Sequence, residues 1–107
     1  MAKPNLTFPT GLVLQAISGG SRYGFDIIDA TGLPSGTVYP ALRRLEGAGC
    51  LSSEWEAGEE ADAEGRPPRC YYELTPAGES LLDQARKRFP AIRWTVGREP
   101  SAEPGMA

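Results

Sequence analysis

An α+β domain that is mainly helical is the fold class this sequence predicts: three short helices, a two-stranded hairpin and one further helix. Three observations point there. Apolar residues recur at helical spacing through the first fifty positions, the period drops from 3.6 to 2 after Cys50, and helical spacing returns after Thr75. The 107 residues suffice for one compact core. Hydrophobic residues at 40% and charged residues at 23% give a globular composition, and thirteen Gly and ten Pro break it into short elements.

Residues 1–6 read as a loose arm. Thr7 is placed to cap a first helix, with Pro9 in its first turn, where amides lack intrahelical partners anyway. Phe8, Leu12 and Ala16 recur every fourth residue, flanked by Val13 and Ile17, until Gly19-Gly20 ends the pattern. A second helix is expected from about Ser21 to Thr31, with Tyr23, Ile27 and Ile28 as its apolar stripe and Gly32 at its left-handed end. Two or three residues later Ser35 is the expected cap of a third helix. Its inner face carries Val38, Leu42 and Leu45, with Ala41 and Ala48 beside it. At 100° per residue, Gly36, Pro40, Arg43 and Arg44 fall on or near the opposite face and Thr37 and Tyr39 on the flanks.

Leu51, Ser53 and Trp55 then alternate with polar neighbours, as do Cys70, Tyr72 and Leu74. An antiparallel register that sets Leu51 opposite Leu74 and Trp55 opposite Cys70 also sets Glu56 against Arg69, so one pairing satisfies both faces. It places Cys50 opposite Thr75, which predicts two reduced, partly buried thiols and no Cys50–Cys70 bridge. The connection from about Ala57 to Pro68 is long and polar. Val38, Leu42, Leu45, Trp55 and Leu74 are the expected core. Thr75-Pro76 opens a last helix in which Leu82, Ala85, Phe89, Ile92 and Val96 step by 3 and 4, the spacing of a coiled-coil seam, interrupted at Pro90. The resulting division is a domain over 7–78, a dimerisation helix over 79–96 and a disordered tail over 97–107.

Composition excludes several functions. The absence of His removes the usual histidine catalysis and zinc ligation, and no paired acid and base or activated nucleophile can be placed, so the chain is not expected to be an enzyme. No metal or cofactor is predicted. There is no apolar run near 20 residues to cross a membrane, and Met1 to Phe8 lacks the pattern of a secretory signal, so a cytoplasmic location is expected and Asn5-Leu6-Thr7 is a chance glycosylation match. Glu59, Glu60, Asp62 and Glu64 lack the alternating ligands, central Gly and closing Glu of a calcium loop and read as a solvated acidic stretch.

A net charge of −3 argues at first against a nucleic-acid partner. Setting aside those four acids leaves 10 acidic residues against 11 basic ones, a balance of +1. The bases are grouped at Arg43-Arg44, at Arg66 and Arg69, and from Arg86 to Arg98. Two helices joined by a short Gly-containing turn, followed at once by a hairpin, form a winged helix-turn-helix, whose second helix of the pair enters the major groove of double-stranded DNA.

The residues Tyr23-Gly24-Phe25-Asp26-Ile27, Thr31-Gly32-Leu33, Gly36-Thr37-Val38-Tyr39-Pro40-Ala41-Leu42-Arg43-Arg44-Leu45-Glu46, Gly65-Arg66-Pro67-Pro68-Arg69, Tyr71-Tyr72 and Leu74-Thr75-Pro76-Ala77-Gly78 follow one another in a fixed order. Together, over roughly residues 8–85, they resemble the PadR-like winged-helix transcriptional regulators, in their short subtype. The resemblance implies that the third helix reads operator DNA, that the Gly-Arg-Pro segment of the wing touches the backbone or minor groove, and that Tyr23 and Tyr39 lie near phosphates. It implies a homodimer on an inverted repeat, acting as a repressor, and a small-molecule effector. Trp94, beside the seam, either packs at the dimer interface or lines an effector pocket between subunits.

Each assignment has a plainer counterpart. Arg43 and Arg44 alone would be a solvated helix face, Tyr39 either pads the helix edge or meets a phosphate, and Ser35 is a cap first and a DNA contact second. Arg66, between Gly and Pro on an exposed loop, has little to pack on and is expected to reach a partner. The acidic balance and short C-terminal region fit a second function, a winged-helix module that binds a protein and no DNA.

Overall fold

The computed structural model describes residues 6–92, side chains 60 and 62 apart. Its elements are α1 (Phe8–Ser18), α2 (Gly24–Thr31), α3 (Ser35–Gly47), β1 (Leu51–Trp55), the short α4 (Gly58–Ala63), β2 (Cys70–Leu74) and α5 (Pro76–Arg88). The fold is a winged helix.

α1 lies at the centre. The Thr10 amide donates to the Thr7 hydroxyl at 3.3 Å, which caps the helix, and Pro9 sits in the first turn. Val13, Leu14, Ala16 and Ile17 are buried, whereas Phe8 is 46% exposed. The buried set is wider than the stripe through Phe8, Leu12 and Ala16, because α1 packs against α2, α3, α5 and β2 at once. Leu6 packs on this core as well, so it is not part of a loose arm.

α2 begins at Gly24, not near Ser21. The Tyr72 amide donates to the Arg22 carbonyl at 2.7 Å and Tyr23 bridges Tyr71, so these two residues run along the hairpin before the helix starts. Gly32, at φ 74°, ends α2 in the left-handed conformation that a Cβ would oppose. Ser35 is the first helical residue of α3 and not its cap. Pro34 holds the cap position, and its carbonyl accepts from the Thr37 and Val38 amides at 2.9 and 3.1 Å. Pro40 lies inside α3, and the bond it removes falls in a first turn where Ser35 and Gly36 are open to solvent.

The hairpin has the expected register, Leu51 opposite Leu74 and Trp55 opposite Cys70. The Thr75 amide donates to the Cys50 carbonyl at 3.1 Å; both cysteines are free, and burial pushes the Cys50 thiol up. Trp55 departs from expectation. It is 69% exposed, because α3 and α1 pack over the base of the hairpin and the far end of β1 projects beyond them. The connection is also more ordered than its polarity suggests: it contains α4, and Ala61 is fully buried.

α5 is capped by the Thr75 hydroxyl, which accepts from the Gly78 amide at 3.1 Å, and it ends at Arg88, two residues before Pro90. The seam spacing is genuine, but its partner lies within the chain. Leu82, Ala85 and Ile92 are buried, and a Cβ on Gly11 of α1 would lie 3.3 to 3.7 Å from Ile92, Phe89 and Ala85. Phe89 meets the Phe8 ring edge-to-face at 5.6 Å. Leu82, Ala85 and Ile92 are thus turned into the chain's own core, whereas Phe89 is half-buried. Val96, Trp94 and the tail at 97–107 lie outside the described residues.

Candidate nucleic-acid interface

Burial of Val38, Ala41, Leu42 and Leu45 fixes which side of α3 faces outward. Ser35, Gly36, Arg43 and Arg44 are exposed there, and Thr37, Tyr39 and Pro40 are half-buried at the flanks. Among the described residues Arg43 and Arg44 join no ion pair. Glu46, one turn on, accepts from the Ser53 hydroxyl of β1. The outer face of α3 therefore carries two uncompensated guanidinium groups beside a first turn with small side chains.

A second cluster forms where α2 begins. A Cβ on Gly24 would lie 2.2 Å from the Tyr39 hydroxyl oxygen and 2.5 and 2.6 Å from two of its ring carbons. Only glycine at this position lets the Tyr39 ring rest on the first turn of α2. Tyr23 packs edge-to-face on Tyr71 at 5.7 Å, and the Arg69 guanidinium lies 4.2 Å from the Tyr23 ring centroid. Such stacking leaves the in-plane N–H donors of an arginine pointing outward. Arg69 joins no ion pair among the described residues. Tyr23 gives α2 no side-chain cap. Between this cluster, α3 and the wing runs a groove of about 490 Å³.

Comparison with known proteins agrees with the geometry. The family model described as the transcriptional regulator PadR-like family matches residues 13–84. The chain belongs to the PadR-like family. A PadR-like transcription factor from Bacteroides fragilis is 30% identical over 77% of this chain and 80% of its own, with a TM-score of 0.63. The smu.1704 protein of Streptococcus mutans is 29% identical over 85% of each chain, TM-score 0.66. A PadR family regulator of Clostridium difficile, at 23% identity over 80% of this chain and 91% of its own, shares the fold with a TM-score of 0.67. No curated protein matches. This PadR-like protein is thus a transcriptional regulator and not an enzyme. No helix among the described residues is long and apolar enough to cross a membrane.

One site expectation for this regulator changes. Arg66 is not a free wing arginine. Its guanidinium forks onto both Glu56 carboxylate oxygens, one at 2.8 Å, donates to Glu64 at 3.2 Å, and is 19% exposed. The Arg66 amide donates to the Ala61 carbonyl at 3.1 Å. Glu56 does face Arg69, its amide donating to the Arg69 carbonyl at 2.8 Å, but its carboxylate takes Arg66 as partner and accepts only the backbone amide of Arg69. Arg66 therefore fastens the wing loop and holds Pro67, Pro68 and Arg69 in place, whereas Arg69 is the wing arginine that is available. The signal sequence reading missed is Glu56 itself, ten residues before Arg66, at the point where the loop must close.

The fastening has a pH signature. The Arg66 hydrogen bonds hold the Glu56 carboxyl down at about 2, from an ordinary 4.5. A carboxyl depressed in the folded state contributes its stability above the ordinary value and loses it as pH falls toward the depressed one. The wing loop is expected to loosen between about pH 4.5 and 2, with the Glu56 carboxyl titrating near 2 by NMR. A midpoint near 4.5 would show that the fork does not persist in solution.

Proposed function

We propose that this PadR-like regulator binds double-stranded DNA as a homodimer and represses transcription from an inverted-repeat operator in the cytoplasm. α3 enters the major groove, where Arg43 and the first-turn residues Ser35, Gly36 and Thr37 face base edges. Arg44, Arg69 and the hydroxyls of Tyr23 and Tyr39 take phosphates. The observation that carries this reading is the outer face of α3: two arginines without an ion pair among the described residues, and an open first turn, on an otherwise acidic molecule. Two such helices related by a twofold axis meet successive major grooves about 34 Å apart. The dimer contact uses surface other than Leu82, Ala85 and Ile92, which the core occupies. The effector pocket expected at Trp94 falls outside the described residues.

Selection of bound sites from a random duplex pool tests this function. An inverted repeat is expected, and Arg43→Ala should weaken binding to the selected duplex by about 1–3 kcal/mol, with a smaller loss on random duplex. Equal losses on both would make Arg43 a phosphate contact. No selected site at all would favour a protein partner instead.

A further inference from the structure

Three large apolar side chains stand exposed among the described residues, Phe8, Phe25 and Trp55. Phe8 has the Phe89 ring as partner. Phe25, 73% exposed on the first turn of α2, and Trp55, 69% exposed at the end of β1, have no ring partner among the described residues. They belong to elements far apart in the chain, yet both line the groove between α2, α3 and the wing, with Tyr39 and the Pro67-Pro68 pair. Leaving two aromatics in water costs apolar burial that the fold does not recover elsewhere. Paired across one groove, they mark a contact surface.

We infer that Phe25 and Trp55 form an apolar clamp on the deoxyribose edge of one DNA strand, a contact that rests on the DNA-binding function proposed above. Along a strand, charged phosphates alternate with sugars whose C–H edges are apolar. The groove has the same alternation. Arg69, its guanidinium 4.2 Å from the Tyr23 ring centroid, lines it beside the two aromatics and supplies a site for a phosphate. When that phosphate is seated, the adjoining sugar falls against the Phe25 and Trp55 rings. The Tyr39 ring, held on Gly24, fixes the floor. Such a contact is independent of base sequence and releases no counterion, so it adds affinity without adding salt dependence.

The test compares three variants by fluorescence anisotropy, on a selected duplex and a random one, over a range of salt. Trp55→Ala and Phe25→Ala should each weaken binding roughly tenfold on both duplexes while the salt slope stays that of wild type. Arg69→Ala, which removes one phosphate contact from each protomer, should lower the slope by about 1.8. In a Trp94→Phe background, Trp55 emission should change on duplex addition and remain unchanged with inorganic phosphate, which carries no sugar. The exposed positions make folding failure simple to check by thermal melting. Unchanged affinity in Trp55→Ala, a loss confined to the selected duplex, or a loss with a changed slope would each overturn the clamp while leaving DNA binding intact. Absence of duplex binding by wild type would overturn both.

Discussion

Gly78→Ala should lower the thermal midpoint by as much as roughly 12 to 24 °C. The methyl group would lie 2.1 Å from the Cys50 carbonyl oxygen and 3.1 Å from its carbon, contacts that no side-chain rotation relieves. Neither side can retreat cheaply. The Cys50 carbonyl accepts the Thr75 amide at the end of the hairpin, and the Gly78 amide donates to the Thr75 hydroxyl that caps α5. Overpacking of this kind costs up to about 3 kcal/mol, and each kcal/mol moves the midpoint of a domain this size by about 4–8 °C. Gly47→Ala is the control, since a Cβ there meets nothing within 4 Å and only helix propensity changes. A melt of Gly78→Ala within about 2 °C of wild type would mean that the Cys50 carbonyl and the first turn of α5 do not meet as described.

Gly24→Ala should cost more in binding than in folding. Its methyl would displace the Tyr39 ring, with contacts of 2.2 to 2.6 Å, and a ring can swing outward where a carbonyl cannot. The swing carries the tyrosine into the groove between α2 and the wing, which the proposed DNA strand occupies. Duplex affinity is expected to fall about 10²-fold, the size of two lost phosphate or base contacts of 1–3 kcal/mol each. Removing the obstructing ring should restore part of it, so the Gly24→Ala, Tyr39→Ala double variant is expected to bind better than Gly24→Ala alone. Equal affinity of the two would separate Tyr39 from the groove.

The hairpin register was legible because a single pairing had to match apolar residues on one face and Glu56 with Arg69 on the other. The inner and outer faces of α3 were legible because period alone decides them once Val38, Leu42 and Leu45 are buried. What the sequence concealed depends on tertiary partners. Arg22 and Tyr23 read as helix because their pairing with Tyr71 and Tyr72 is some fifty residues away in the chain. The 3–4 spacing of Leu82, Ala85 and Ile92 shows that a helix has a partner, and cannot show whether that partner is α1 or a second subunit. Alternation put Trp55 on the inner face of the hairpin but did not reveal that the helical layer stops short of it. Arg66 looked free because its carboxylate partner sits across a connection that reads only as long and polar.

The central claim is that an acidic chain presents a local cationic face shaped for duplex DNA. Its most direct test is the salt dependence of binding by the intact protein to a selected duplex, followed by anisotropy from about 50 to 200 mM salt. With Arg44 and Arg69 each neutralising a phosphate in both protomers, the slope of log affinity against log salt should be about −3.6, roughly a hundredfold loss across that range. Binding that is absent at low salt, or indifferent to salt throughout, would contradict the claim.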